Sequence, residues 1–413
     1  MAASETAPGT NHRHPRRHPH PHPHLAPLTD RRIRVAVIGT GAIARDSHLP
    51  ALARLAEEGE TEIVAAVDIA VESAEGFCAE VAATAAGTPH PFTDLDRMLQ
   101  EQRPDLVTIC TPPTLHRDQT VAALRAGAWV WCEKPPVPSL ADFDAVEAQE
   151  GEDGGPYASI VFQHRFGSGT RHVRRLLAEQ AMGRPLVAHC QTTWYRDTAY
   201  YAVPWRGRWG TEGGGPAMGH GIHQMDLLLD LLGPWSEVRA MAGRLVHDVE
   251  TEDVSTALVR FENGAMATVV NSVLSPDEVS RIRIDCERAT VELTHLYGHR
   301  NDNWVITPAR DVPDTEAAAW QDFGADVPSS HLEQLRELIA SMRAGERPRS
   351  SGPDGRTSLE LIAALYKSAF TDTTVKAGEI GPGDPFYTAM HGGAPGWAPG
   401  AGERAASGAE VAA

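Results

Sequence analysis

One lysine and one histidine occupy positions in this sequence from which a side chain could move a proton. Lys134 comes two residues after the apolar run Trp129–Cys132, which predicts a buried strand. At the carboxyl end of a parallel strand, side chains face the ligand crevice. His223 lies in a glycine-led segment, residues 214–232, that predicts a helix. A near-neutral imidazole beside a lysine suits acid–base chemistry at an alcohol oxygen.

Polar residues recur along one side of that helical segment. His220, His223, Asp226 and Asp230 are spaced three or four apart and form a stripe on an otherwise apolar helix. Such a stripe fits core polar groups with satisfied hydrogen bonds, a metal site or an acid–base face. The metal interpretation ranks lowest, because no further Cys/His cluster is placed to complete a ligand shell. In the acid–base interpretation Asp226, one turn on, could orient the His223 imidazole.

A glycine loop after the first predicted strand indicates a dinucleotide site. Residues 39–44 read Gly-Thr-Gly-Ala-Ile-Ala, a GxGxxA pattern at a strand end that begins a helix. Gly39 permits the tight turn, and Gly41 lets the backbone approach a pyrophosphate at the helix N-terminus. The small Ala44 allows helix and strand to pack closely. Taken alone, the pattern is equally compatible with a simple tight turn.

Asp68 ends the second predicted strand. A carboxylate there can accept hydrogen bonds from the adenosine ribose and repels a 2′-phosphate, which favours NAD over NADP. The alternative role for Asp68 is a helix N-cap.

Two patterns of secondary structure divide the chain. Up to about residue 158 short apolar strands alternate with helices, which predicts a doubly wound parallel sheet. Longer strand candidates follow, with a hairpin signal at residues 262–264, and predict a second, antiparallel sheet. We therefore expect a His/Pro-rich disordered tail, a dinucleotide-binding domain, a substrate-binding and oligomerisation domain and a second disordered tail, at residues 1–30, 31–158, 159–383 and 384–413.

Composition narrows the function classes. The net charge of −18 disfavours binding to nucleic acids or anionic membranes, and no apolar run approaches the ~18 residues of a membrane span. Five cysteines without a CxxC pair fit a reducing cytoplasm better than a disulfide framework. The His-rich tail could bind transition metals adventitiously, but we expect no working metal site.

Several motifs in the same order make the sequence resemble the Gfo/Idh/MocA oxidoreductases, which include inositol dehydrogenases and glucose–fructose oxidoreductase. The resemblance covers residues 32–380. Its marks are the glycine loop, the segments 111–116 (TPPTLH), 126–127 (AG) and 132–135 (CEKP), and the glycine-led helix at 213–226.

This resemblance implies a Rossmann domain followed by an α+β domain with a large, mostly antiparallel open sheet, in homodimers or homotetramers. It implies that Lys134 and His223 are catalytic. The family often has an acidic residue four positions before that histidine, where this sequence has Gly219, and the adjacent His220 is a candidate replacement. The expected cofactor contacts are Gly39, Gly41, Ala42, Ile43, Asp68, Thr111, Pro112, His116, Glu133 and Lys134.

The function that follows is hydride transfer between NAD(P) and a hydroxyl or keto group of a sugar, polyol or sugar derivative. Two alternatives stay open: an NAD-dependent glycoside hydrolase that oxidises its sugar transiently, and a cofactor-binding regulator, which the missing acid at 219 keeps possible. Aromatic and guanidinium groups suited to a polar ring, or to packing at the domain junction, are Arg165, Tyr195, Arg196, Trp205 and Arg206.

Overall fold

The computed structural model describes Leu28, residues 31–295 and residues 297–399. Its first sheet holds six parallel strands in the order β3-β2-β1-β4-β5-β6. β1 and the neighbours it pairs with are almost entirely buried, which explains their continuous apolar sequences. The six strands are β1 Ile33–Ile38, β2 Thr61–Val67, β3 His90–Phe92, β4 Leu106–Ile109, β5 Trp129–Cys132 and β6 Ala158–Ile160.

Helices connect these strands, as the alternating pattern predicted. The first begins as a π-helical turn, Ala44–His48, and continues as an α-helix. The α-helices of this domain are α1 Leu49–Glu57, α2 Val71–Ala82, α3 Leu95–Gln102, α4 Pro113–Arg125 and α5 Leu140–Glu147.

The second sheet has eight strands in the order β13-β12-β11-β7-β10-β9-β8-β14, and β7 with β10 is its one parallel pair. Buried and exposed residues alternate along β9, so this sheet has one packed face and one open face. Its strands are β7 Pro185–Tyr195, β8 Trp235–Gly243, β9 Val254–Phe261, β10 Met266–Ser272, β11 Leu274–Cys286, β12 Ala289–Thr294, β13 Trp304–Pro308 and β14 Val375–Lys376.

Two long helices cover the packed face. α9 (Ile222–Leu232) contacts β7 and β11, and α12 (Gly352–Thr371) lies along β8 and reaches back to α5 and β6 of the first domain. The remaining helices are α6 Ser168–Ala178, α7 Thr198–Tyr201, α8 Trp209–Glu212, α9 Ile222–Leu232, α10 Asp314–Trp320, α11 His331–Ala344, α12 Gly352–Thr371 and α13 Pro385–Thr388. Short 3₁₀ segments span Gln163–Phe166 and Asn301–Asn303, and a π-helical turn, Ala217–Gly221, precedes α9.

The chain after residue 383 differs from the expected tail. Phe386 and Met390 are buried, and Trp397 stacks on Phe370 at 4.2 Å between ring centroids. The Gly/Pro-rich composition hid these apolar anchors, which are too widely spaced to show a helical or strand period. Residues 1–27, 29–30 and 400–413 lie outside the described part. Within the described ranges, no helix has the length and apolar character needed to span a bilayer.

Candidate active site

The two glycines in the loop after β1 occupy their positions for different structural reasons. Gly39 has φ +81°, and a Cβ there would lie 2.9 Å from the Cys110 carbonyl oxygen. A Cβ on Gly41 would meet nothing within 4 Å. Gly41, Ala42 and Ile43 are exposed. Gly39 is therefore needed by the turn, whereas Gly41 leaves room for a ligand at the start of the helix.

Asp68 fastens this loop to the end of β2. Its Oδ2 accepts hydrogen bonds from the backbone N and the hydroxyl of Thr40, both at 2.9 Å, and its Oδ1 accepts one from Ala70 N at 3.1 Å. Burial opposes ionisation, but these hydrogen bonds leave the Asp68 pKa below its ordinary value. The N-cap of α2 is Ala70 and not Asp68. Asp68 therefore holds the glycine loop as an ionised carboxylate.

The segment after β4 also lies against the glycine loop. Pro112 is the N-cap of α4, and the Thr111 methyl would meet a Cβ on Gly39 at 2.9 Å. His116, expected to contact the cofactor, is instead buried with its ring nitrogens 2.9 and 2.7 Å from the carbonyl oxygens of Pro135 and Thr111. With both nitrogens facing backbone acceptors, His116 joins two loops and is not free for a ligand.

Glu133 is the centre of a buried cluster behind Lys134. Its Oε1 lies 2.8 Å from His48 Nε2 and 3.2 Å from His331 Nε2, and its Oε2 accepts from Lys134 N at 3.2 Å. Burial would raise the pKa of Glu133, but the hydrogen bonds of both imidazoles hold it well below its usual range. Both imidazole rings hydrogen-bond the Glu133 carboxylate directly, so these buried groups satisfy one another. The cluster also positions the backbone of Lys134.

Lys134 extends from this cluster toward the glycine-led helix. Its Nζ donates to the Gly219 carbonyl oxygen at 3.1 Å. Burial lowers the pKa of Lys134, and the charge of Glu133 partly opposes that shift. The ammonium is thus held against the glycine-led helix and loses a proton more readily than an exposed lysine.

A buried carboxylate anchors the start of the glycine-led helix. Glu252 accepts from the backbone N–H groups of Gly215 and Ala217, both at 3.0 Å, and from the Tyr366 hydroxyl at 2.9 Å. A Cβ on Gly215 would lie 2.7 Å from Glu252 Oε2, so only glycine fits there. Burial raises the pKa of Glu252 to about 7. The helix N-terminus is the natural position for such an acceptor.

Two further glycines of this helix contrast sharply. A Cβ on Gly221 would overlap Asn271 Oδ1 of β10, whereas one on Gly219 would meet nothing within 4 Å. Gly221 is therefore required by packing. At Gly219, the position of the family's acid, the space is left open beside the Lys134 ammonium.

His223 is 1% exposed and contributes to the wall of a cleft. Neither of its ring nitrogens meets a hydrogen-bond partner in the described part of the chain. The ring stacks on His164, with 4.8 Å between centroids, and meets Tyr297 edge-on at 5.6 Å. Burial, followed by the charge of Lys134, holds the His223 pKa well below its usual range. The imidazole is therefore neutral at pH 7.

Asp226 does not orient His223, contrary to the expectation from its position. Its carboxylate pairs with the Arg165 guanidinium at 2.7 and 2.5 Å and accepts from the Ser358 hydroxyl at 2.7 Å. Arg165 is 2% exposed and also bonds Asp354. Arg165 is therefore a structural residue and not a substrate contact. Helical spacing placed Asp226 near His223 but could not reveal this more distant cationic partner.

His220 lies on the other side of Lys134, among aromatic rings. Its imidazole meets Trp194 at 4.9 Å and Tyr200 at 6.4 Å between centroids. Burial, and then the charge of Lys134, lower the pKa of His220 to about 3. At neutral pH it can accept a hydrogen bond there but carries no charge.

Three of the four aromatic and cationic candidates on β7 and the following loop gather around Tyr200. The Arg196 and Arg206 guanidiniums lie 5.2 and 3.8 Å from its ring, and Arg206 also lies 4.2 Å from the half-exposed Trp205 ring. Tyr195 is exposed on the opposite face of β7, because successive strand residues alternate. Its neighbour Trp194, an aromatic residue of the same candidate segment, lies instead with its ring 4.9 Å from that of His220.

One cleft of about 850 Å³ is lined by candidate residues from both domains. Its wall includes Ala42 and Ile43 of the glycine loop together with Glu133, Lys134 and His223. Sequence reasoning missed several other residues of the wall, since nothing in their local sequence marks them. They are Gln163, Tyr297, Ser329 and His331.

Comparison with known proteins agrees with this geometry. A family described as "Oxidoreductase family, NAD-binding Rossmann fold" matches residues 33–158, and the GFO/IDH/MocA C-terminal domain matches residues 170–292. A protein of Amycolatopsis mediterranei provisionally named UDP-kanosamine synthase oxidoreductase subunit is 33% identical over 82% of this chain and 96% of its own. The chain belongs to the Gfo/Idh/MocA oxidoreductase family. It is thus an oxidoreductase with an NAD-binding Rossmann domain.

Two further relatives extend over nearly their whole length. The D-glucoside 3-dehydrogenase of Escherichia coli K12 is 26% identical over 84% of this chain and 99% of its own. The crystal structure of the WlbA dehydrogenase from Bordetella pertussis, in complex with NADH and UDP-GlcNAcA, is 26% identical with a TM-score of 0.72, covering 85% of this chain and 99% of that one.

Proposed function

We propose that this oxidoreductase transfers hydride between NAD and a hydroxyl-bearing carbon of a sugar or polyol, with Lys134 and His223 at the reacting oxygen. The observation that carries the proposal is the shared cleft. The start of the dinucleotide helix and both proton-moving side chains line the same 850 Å³ space.

The residues around the cleft fit a dinucleotide. Open space at Gly41 admits a pyrophosphate close to the helix N-terminus, and Asp68 is an ionised acceptor at the ribose position. Gln163 Oε1 and Ser329 Oγ are buried polar atoms on the cleft wall without partners among the described residues, so they suit a polar ligand. When bound, NAD supplies the hydride acceptor.

The proton chemistry belongs to the chain. His223 is neutral, and neither ring nitrogen has a partner among the described residues, so its unprotonated nitrogen is available to take the alcohol proton as hydride leaves the alcohol carbon. Lys134 donates a hydrogen bond to the reacting oxygen and stabilises its developing negative charge. The Gly219 carbonyl oxygen holds the ammonium in place for both directions of the reaction.

Relatives and side chains together support a hydroxyl-rich substrate. The relatives' names include a glucoside dehydrogenase, and the Bordetella enzyme was crystallised with a nucleotide sugar acid. Trp205 offers a half-exposed face for stacking on a ring, and Arg196 and Arg206 offer donors to hydroxyl or carboxylate oxygens.

The test is NADH formation by the purified protein on a panel of sugars, polyols and nucleotide sugars. Stoichiometric NADH with at least one of them is expected. Cleavage of a glycosidic bond without net NADH would show a transiently oxidising hydrolase. Cofactor binding without turnover of any compound would favour a regulator.

Asp68 sets a preference for NAD over NADP, since its charge repels a 2′-phosphate. The dissociation constant for NADH should be about tenfold lower than for NADPH, measured by fluorescence titration. Asp68→Ser should reduce that preference. Tighter binding of NADPH by the unsubstituted protein would contradict this role.

The open face of the second sheet supports self-association. Leu258 and Met241 are 64% and 76% exposed on neighbouring strands, and Val187 and Met266 pair beside them on the same face. A face with this much exposed apolar surface is typical of an interface. A second copy of the chain is the proposed occupant, giving a homodimer or homotetramer.

Sedimentation of the unsubstituted protein should give at least a dimer, and Leu258→Arg should give a monomer that still binds NADH. A monomeric unsubstituted protein would refute the assembly. The five free cysteines, four of them buried, agree with a reducing compartment such as the cytoplasm.

A further inference from the structure

Three histidines form a buried row beside the cleft. His164 lies between His223, stacked at 4.8 Å with 23° between ring planes, and His299, met edge-on at 5.5 Å. Each of the three is 1% exposed. None of their six ring nitrogens has a hydrogen-bond partner among the residues that the structure describes. Buried polar groups are usually paired, so this row requires an explanation.

The row is itself held by rings. His299 meets Trp304 edge-on at 5.8 Å, and Tyr297 meets both His164 and His223 edge-on at 5.6 Å. The backbone of His164 is fixed where its carbonyl oxygen accepts from the Thr170 hydroxyl at 2.8 Å. His164 is therefore a rigid surface against which the His223 ring lies.

Among the described residues, no hydrogen bond orients the His223 ring. The carboxylate one turn along, Asp226, is taken by Arg165 and Ser358, and position 219 carries no side chain. A base held by a hydrogen bond would have one ring nitrogen occupied. Neither nitrogen of His223 has a partner among the described residues, and the contacts that orient the ring there are made through its faces and edges.

We propose that His164 is a positioning residue that orients the His223 imidazole by ring stacking and shields it from water, in place of a carboxylate partner. This inference rests on the proposed role of His223 as proton acceptor. The ring plane is fixed by stacking, while either nitrogen can face the substrate. Shielding keeps the imidazole neutral, because burial penalises its charged form.

Other groups also act on the charge of His223. Lys134, His331 and His220 disfavour its protonation, while Glu133 favours it. Each of these would remain in a variant at position 164. A change in His223 titration on altering position 164 therefore comes from the loss of the His164 imidazole, and a phenylalanine there separates the effect of its ring from that of its charge.

The experiment compares His164→Ala, which removes the ring, with His164→Phe, which keeps a ring without nitrogen atoms. Ring ¹⁵N chemical shifts give the titration of His223 in each free protein, and kcat is measured against pH on a substrate from the panel. His172→Ala is the matched control. His172 is a buried histidine on α6 that contacts Phe323 at 4.5 Å, away from the cleft.

In His164→Ala, His223 should titrate at least about one pH unit higher, as expected when water reaches a buried imidazole. Its kcat should fall about tenfold to hundredfold, because the base is misaligned. His164→Phe should restore both properties most of the way, and His172→Ala should leave both unchanged while lowering the melting temperature.

An unaltered His223 titration and kcat in His164→Ala would overturn the inference, as would a His164→Phe variant that behaves like His164→Ala. If the alanine variant does not fold, the phenylalanine variant alone decides, since loss of its activity in a folded protein contradicts stacking as the function. A protein that oxidises no compound would refute the proposed function, yet the His223 titration would still report the stacking.

Discussion

His223 and Asp226 stand one turn apart on the same helix, and their surroundings are opposite. His223 opens to the cleft and has two ring nitrogens without partners in the described chain, with aromatic rings as neighbours. Asp226 is fully buried in a network whose oxygens are all occupied by Arg165 and Ser358. Both residues belong to one polar stripe in the sequence, yet only one is available to a ligand.

Under the proposed function, the difference separates a residue for catalysis from a residue for stability on one helix. The atom that exchanges a proton with a substrate must stay accessible, and leaving such a buried atom unpaired costs stability. A charged group that only joins elements must be fully paired, because a buried charge without partners is strongly destabilising. Substitutions of His223 should therefore lower activity, whereas substitutions of Asp226 should lower stability.

The largest expected effect is a loss of turnover when a cleft residue is substituted. Lys134→Met and His223→Ala should each lower kcat by about 10²–10⁴-fold, the usual contribution of a positioned acid or base. NADH affinity should change far less in His223→Ala. The double variant should be little worse than the worse single one, because the two groups act on the same oxygen. Near-normal kcat in both single variants would place the chemistry elsewhere.

For Asp226, whose carboxylate is fully paired, the expected effect is on stability. Asp226→Ala should lower the free energy of unfolding by about 3 kcal/mol or more, since it leaves Arg165 buried with its main partner removed. Urea denaturation measures this. Glu101→Ala, which breaks the exposed Arg97–Glu101 pair, should leave the midpoint unchanged. An equally small effect at Asp226 would show that the network is not holding the helix.

The glycines of the helix allow a finer comparison of the same two sides. Gly221→Ala should cost about 1–3 kcal/mol, because its Cβ overlaps Asn271 and the core cannot expand freely. Gly219→Ala should be neutral or stabilising by up to about 1 kcal/mol, since its Cβ meets open space in a helical turn. Equal melting temperatures for the two variants would contradict the contrast.

The same open position tests the missing acid. If His220 performs that role, Gly219→Asp should not increase kcat and His220→Ala should lower it. A gain in kcat from Gly219→Asp would instead show that the acid is simply absent.

The last comparison concerns the pH dependence of stability. His164, His223, His220 and His299 all have pKa values below their ordinary range, so between those values and about pH 6.5 the unfolded chain binds protons that the folded chain does not. The free energy of unfolding should therefore fall as pH drops below about 6.5, by up to about 1.4 kcal/mol per pH unit for each histidine. Glu252, whose pKa is raised to about 7, opposes this change. Denaturant midpoints that stay level from pH 7 to 5 would contradict the prediction.

Much of the fold could be predicted from local sequence. The strand β5 matches the predicted run Trp129–Cys132, since a continuous apolar run marks it. The three-residue β3 and two-residue β14 were missed, because such short strands are specified by their neighbours. The packing of the segment after residue 383 was also missed. Its few apolar residues can be recognised as anchors only from the surface against which they pack.

The sequence by itself determined the glycine loop, Asp68 at its strand end, Lys134 after β5 and His223 on the glycine-led helix, because each sits at a fixed distance from a strand end or helix start. Only the tertiary structure decided the partners of these groups. Glu133 meets His48 and His331 across 85 and 198 residues, and Asp226 meets Arg165 across 61. Periodicity shows which face of an element a side chain is on. Hydrogen bonds and ring contacts form between faces of different elements, and their pairing depends on how the two domains pack.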